Sequence, residues 1–140
     1  MKSNTLLTLA FLLVTSLLMA QEIKFKRGIV LWDGVEVMEY RVENMGKEFY
    51  LYKMGKTDEE EIVLILYRDN NTDDYKEDDY NKIIFSRLKR SYEISQDYMF
   101  RAEIVKLIRK KVIGIEGTIN ETNMESYIEK FDEELPRYRD

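Results

Sequence analysis

Phe25-Lys26-Arg27-Gly28-Ile29-Val30-Leu31-Trp32-Asp33-Gly34-Val35-Glu36-Val37-Met38-Glu39-Tyr40-Arg41-Val42 is the stretch from which the rest of the chain is read. Asp33-Gly34 sits at its centre. A two-residue type I′ turn needs positive φ at both positions, and this dipeptide tolerates it. Counting outward from the turn pairs Trp32 with Val35, Val30 with Val37, Ile29 with Met38, Arg27 with Tyr40 and Phe25 with Val42. In that register Ile23, Phe25, Ile29 and Leu31 share one face with Met38, Tyr40 and Val42. The expectation is a β-hairpin that opens an antiparallel sheet.

Downstream the two-residue period continues. After a turn at Asn44-Met45-Gly46-Lys47, residues 48–54 form a third strand, with Phe49 and Leu51 on one face and Tyr50 and Tyr52 on the other. Residues 61–68 carry Ile62-Val63-Leu64-Ile65-Leu66-Tyr67, a run apolar on both faces and so a central strand. A polar loop over 69–79 leads to a strand over 81–86, and 90–94 is a candidate sixth. The period then becomes helical. In 97–112 Phe100, Ile104, Leu107 and Ile108 fall on one face, with Ser95 as the expected cap, Lys110 and Lys111 favourable at the C-terminal dipole and Gly114 as the stop. Thr118 or Thr122 opens the last helix through a capping box with Glu121 or Glu125. Its apolar stripe is Met124, Tyr127, Ile128, Phe131 and Leu135, and Pro136 ends it. Strands followed by helices give an α+β class. The expected architecture is an antiparallel β-meander of about five strands followed by two C-terminal helices packed on one face.

Upstream, residues 1–20 have the parts of a cleavable signal peptide: Lys2, a mostly apolar stretch from Leu6 to Met19, and Ala20 before Gln21-Glu22. The stretch is short for a spanning helix and is followed by an acid. The expected organisation is therefore a leader over 1–20 and a single α+β domain over 21–140, exported to the periplasm or secreted, with no stable membrane anchor after cleavage.

The chain of 140 residues carries 22 Lys and Arg against 27 Asp and Glu, a net charge of −5. That balance argues against nucleic acid as a partner. Acids gather over 57–80 and bases over 81–115, which reads as two solvated segments that offset one another. Cysteine and histidine are both absent. Their absence removes disulfides, cysteine nucleophiles, Ser-His-Asp triads and the usual zinc sites.

What remains is sparse. Ser86-Arg87-Leu88-Lys89 matches an S-x-x-K pattern, but the S-D-N and K-T-G partners are missing and Ser86 falls at a strand end. Asp69, Asn71, Asp73 and Glu77 occupy first, third, fifth and ninth positions of a calcium-type loop. Asp74 stands where that loop needs Gly, and Tyr80 where it needs a bidentate Glu. Asn70-Asn71-Thr72 and Asn120-Glu121-Thr122 match the glycosylation acceptor pattern. No catalytic residue, metal ligand set or cofactor is assigned, with the loop kept only as a weak calcium candidate. Aromatic residues on strands can bind a partner, and Trp32, Tyr50 and Tyr52 are the candidates for such a surface.

Lys26-Arg27-Gly28-Ile29-Val30-Leu31-Trp32-Asp33-Gly34, following an export signal, is similar to the opening of many small exported proteins of Bacteroidota-type bacteria, and the tail around Ile119-Asn120 and Ile128-Glu129-Lys130-Phe131-Asp132 resembles theirs. The resemblance implies an envelope location and carries over no site residue. The functional expectation is a non-catalytic binding or interaction module of the cell envelope, its partner an unknown protein, peptide or glycan. The alternatives are an accessory subunit docking through its C-terminal helix and a small carboxylate-based hydrolase. The first alternative requires an exposed stripe on the last helix, and the second a concave pocket with two acids in reach of each other.

Overall fold

The computed structural model describes residues 21–69, 71, 74–95 and 99–135. Among them are seven strands: β1 (Ile23–Lys26), β2 (Ile29–Trp32), β3 (Val35–Glu43), β4 (Glu48–Lys53), β5 (Val63–Arg68), β6 (Tyr80–Phe85) and β7 (Arg90–Ser95). All pair antiparallel with their chain neighbours in one sheet of order 1 to 7. Two helices follow, α1 (Phe100–Arg109) and α2 (Glu121–Phe131). The fold is α+β with a meander sheet, and the strand count is seven rather than about five.

One of the added strands comes from a turn in the opening segment. Arg27 and Gly28 have φ of 50° and 83°, the same pattern as Asp33 and Gly34 at 49° and 82°. The expected long first strand is therefore folded into two, and Phe25 pairs with Val30 instead of Val42. Trp32 still meets Val35. A bulge between Val30 and Leu31 on one side and the extra residue Val37 on the other then shifts the register, so Val30 meets Met38 and Ile29 meets Glu39. Ile23, Phe25, Met38 and Tyr40 do join the core side. Ile29 and Leu31 do not, and Val42 is 47% exposed.

From β4 onward burial alternates, with Tyr52 the exception on β4. Phe49, Leu51, Val63, Ile65, Ile83, Phe85, Tyr92 and Ile94 are buried, and they share one core with Ile104, Leu107 and Ile108 of α1 and Met124, Tyr127 and Ile128 of α2. Ring contacts mark the seam: Phe49 lies 6.1 Å from Phe100, and Tyr92 lies 5.5 Å from Tyr127. Both helices thus take their cover from the same face of the sheet.

The helix ends differ from expectation. Ser95 closes β7, and α1 starts after Met99 without a side-chain cap. Its C-terminus is set by Lys111 at φ 57°, not by Gly114. Lys111 N–H bonds to Ile108 O, and Val112 N–H to Leu107 O, as in a Schellman motif. α2 is capped by Asn120, whose Oδ1 accepts from Asn123 N at 3.0 Å, rather than by Thr118 or Thr122. Thr118 is engaged beforehand, because its carbonyl accepts from Gly114 N across a small hairpin closed by the Ile113–Ile119 bridge. Residues 1–20, expected to be a signal peptide, and Pro136 lie outside the described residues.

Candidate functional site

The alternation that fills one face with core leaves another set of side chains on the opposite face. Tyr50, Leu64 and Ile84 stand side by side on β4, β5 and β6, directly in register. Leu66 lies in the next row, between Glu48 and Lys82. These residues are half-buried, and none belongs to the core or packs against it. Tyr52 follows Tyr50 along β4, the two rings parallel within 9° at a centroid distance of 6.4 Å. The Arg41 guanidinium lies 5.5 Å from the Tyr52 ring and helps to bury it to 7% exposure. Charged residues of both signs frame the row.

The two tyrosine hydroxyls are poor acids. Tyr50 Oη donates to Glu48 Oε2 at 2.7 Å, and this bond, helped by burial, pushes its pKa up to about 12. Burial raises that of Tyr52, with Arg41 opposing. Both remain protonated near neutral pH, and the Tyr50 proton is already given to Glu48, which suits recognition rather than nucleophilic or base chemistry.

Trp32 is not part of this strip. It packs against the core on the helix-bearing side, where it lines a cavity of about 390 Å³ with Ile108, Ile113 and Ile119. The sequence-based surface is thereby split: Tyr50 and Tyr52 stay together, and Trp32 lies apart from them. Leu64, Leu66 and Ile84 are the members that the sequence argument passed over.

In the acidic loop, Asp69 turns to Lys47, its Oδ2 2.9 Å from Nζ, and this bond lowers its pKa. Asp69 Oδ1 accepts from Asn71 N, and Glu77 accepts from Tyr75 Oη. Asp73 lies outside the described residues. Among the described residues no three acids, histidines or cysteines gather closely enough to hold a metal ion. The end of the loop is not solvated as its composition suggests. Asp78 and Asp79 are buried, and Asp79 accepts a short hydrogen bond from Tyr67 Oη. Ser86 and Lys89 lie in a tight 3₁₀ turn between β6 and β7, Lys89 in the left-handed region. Ser86 Oγ donates to Glu61 Oε1 at 2.7 Å, so the S-x-x-K pattern does not place the lysine amine on the serine hydroxyl through a helical turn.

A cleft of about 270 Å³ at one end of the sheet has Ile62, Phe85, Leu88 and Ile119 as its floor, with Lys53, Arg87 and Glu121 around it. It holds one acid, whereas a second cleft of about 300 Å³ is lined by Glu93, Asp132 and Glu134 with Lys82 and Tyr92. The stripe of the last helix is spent on the core, since Met124, Tyr127 and Ile128 are at most 7% exposed. One acid of α1 is buried. Glu103, 2% exposed, accepts from Tyr92 Oη at 2.5 Å and Tyr127 Oη at 2.7 Å, both on Oε1.

Set beside known proteins, the chain matches no family model, no curated protein and no solved structure.

Proposed function

We propose that the protein is an exported, non-catalytic binding module of the cell envelope that takes a protein partner on the helix-free face of its sheet. The observation that carries this reading is the placement of Leu64, Leu66 and Ile84. The run 62–67 is apolar on both faces, as in a strand covered on both sides. Among the described residues only one side receives helices, and these three residues lie outside the core. Contiguous apolar rows with a polar frame are what partner-binding surfaces look like. Aliphatic side chains in the middle of the row favour a protein over a glycan, which stacks on flat aromatic faces. Export is supported by the signal-like residues 1–20 and by the resemblance to small exported proteins. Among the described residues no helix is long and apolar enough to cross a membrane.

Site-specific photo-crosslinking in the expressing cell tests the proposal. A photoreactive residue at position 64 or 84 is expected to give discrete protein adducts, whereas one at position 122 or 129, on the exposed side of α2, gives none. Equal yields from both sides, or none from either, would defeat the assignment of the face.

A further inference from the structure

The apolar strip is symmetric about β5. The registers place β4 and β6 on its two sides with residues aligned in threes: Tyr50, Leu64 and Ile84 in one row, Glu48, Leu66 and Lys82 in the next. An acid thus lies one strand to one side of Leu66, and a cation one strand to the other. Lys82 stands opposite Glu93 on β7 and lines a cleft with Glu93, Asp132 and Glu134. Glu48 accepts from the neutral donors Tyr50 and Asn44, and Lys82 makes no ion pair among the described residues.

We propose that this face is the interface between two copies of the chain, related by a two-fold axis that runs along β5. Such an axis, lying in the plane of contact, sets β4 of each copy over β6 of the other. Leu64 and Leu66 then meet their own counterparts on the axis. Tyr50 meets Ile84 and Glu48 meets Lys82, each contact occurring twice. Two sheets stacked in this way interdigitate their side chains at a spacing of about 10 Å, with strand directions within about 30°. The inference rests on the binding role proposed for the face and names its occupant. An unrelated partner would not require the patch to complement itself about its own central strand, and the inner pairs of this patch, Tyr50 with Ile84 and Glu48 with Lys82, do so.

The size of the face sets the strength. From β3 to β7 it spans four strand spacings, and each strand runs about 20 Å, a flat footprint of about 400 Å² per copy. That is small for a specific interface, so the association is reversible and depends on concentration. Glu43 and Glu93, the outermost residues of the Leu66 row, come together at the rim and weaken it further.

Sedimentation equilibrium of the full chain tests the dimer through its charges. Every variant keeps residues 1–20, so any contribution of that stretch is constant. Glu48→Lys sets two lysines against each other twice, and Lys82→Glu does the same with two acids. Each is expected to weaken self-association roughly tenfold. Mixed in equal amounts, the two variants regain both attractive contacts, so a heterodimer of wild-type strength is expected. The axis is overturned if the single variants associate like the wild type, or if the mixture stays as weak as its components. A wild type that is monomeric up to roughly 1 mM overturns self-association itself. The binding face is judged separately, because crosslinks from position 64 to a chain of different mass would sustain it without a dimer.

Discussion

Glu103 is the side chain on which the two helices and the last strand converge, and replacing it has a calculable cost. Its Oε1 accepts from Tyr92 on β7 and Tyr127 on α2, while Glu103 itself belongs to α1. Its Oε2 is also buried and has no hydrogen-bond partner. One turn along α1, Lys106 Nζ lies 3.8 Å from the Phe131 ring centroid, supplying positive charge at the edge of the cluster. Glu103→Ala removes the acceptor that two buried hydroxyls share, at a cost of about 1–3 kcal/mol. It also removes buried methylene at about 0.8 kcal/mol per CH₂. Relief of a desolvated carboxylate works in the opposite direction. The expected net loss is about 1–4 kcal/mol, a large share of the ~5–15 kcal/mol of a typical domain. The same substitution should cost far less in a Tyr92→Phe/Tyr127→Phe background, because no hydroxyl is then stranded. A coupling of about 1–3 kcal/mol should remain between the two measurements. Urea unfolding followed by fluorescence of Trp32, the single tryptophan, and by circular dichroism gives both numbers from midpoints at constant slope. A loss below about 1 kcal/mol for Glu103→Ala, or an equal loss in both backgrounds, would refute the idea that this carboxylate ties the three elements together.

Burial and the Glu103 carboxylate both push the Tyr92 hydroxyl well above the ordinary tyrosine value of 10.0. A folded pKa raised above the unfolded one gives stability that is intact below pH 10 and lost as pH climbs beyond it. Alkaline unfolding should therefore begin above that pH and be less steep in Tyr92→Phe, which a pH series of urea midpoints will show. Gly117 has φ of +74°, and a Cβ there would lie 2.7 Å from Ile62 Cδ1 and 2.9 Å from Lys53 Cγ. Gly117→Ala should cost about 1–3 kcal/mol, read as a lowered Tm. Asn120→Ala removes the cap of α2 and should cost about 1 kcal/mol in urea unfolding, with most of it recovered by Asn120→Asp.

The strands from β3 onward were legible because alternation marks most of them, the apolar run 62–67 marks β5, and Gly46 and Gly55 punctuate the series. The opening strand was misjudged at one dipeptide. Arg27-Gly28 forms the same turn as Asp33-Gly34, but arginine at positive φ has no local hydrogen bond to advertise it. Missing that turn merged β1 and β2 into one strand and sent Phe25 to Val42. The cap of α2 was ambiguous in sequence, since Thr118, Asn120 and Thr122 can all accept from a helix N-terminus. What decides for Asn120 is the tertiary bridge at Ile119. Glu103 was hidden by its type, although its position was not. It stands three residues after Phe100 and four before Leu107, on the same stripe. The candidate surface was half legible. Parity put Tyr50 and Tyr52 together on one face, but Trp32 belongs to a different strand whose parity depends on the bulge at Val37. The apolar far side of β5 was visible as the run 62–67. Its meaning required knowing that two helices of ten and eleven residues would both settle on one side.

The edges of the sheet explain why its face is the natural place for a partner. An open meander has two free edges, and each is a template for strand addition. At β7 the chain after α2 returns to occupy that template. Glu133 N donates to Glu93 O, Asp132 Oδ1 accepts from Glu93 N, and Glu133 also accepts from Ser95 N. At β1 the outer strand is four residues long and carries exposed Lys24 and Lys26, the charged short edge that resists pairing. The opposite face is filled by helices, and the stripe of α2 is consumed in the core. Strand addition and helix docking are thus both disfavoured by the fold's own contacts. Half-buried apolar side chains outside the core remain on β4, β5 and β6, inside the two guarded edges. A protein with no disulfide to brace its sheet gains from covering that strip, since every aliphatic side chain it buries adds to the stability of the strands beneath.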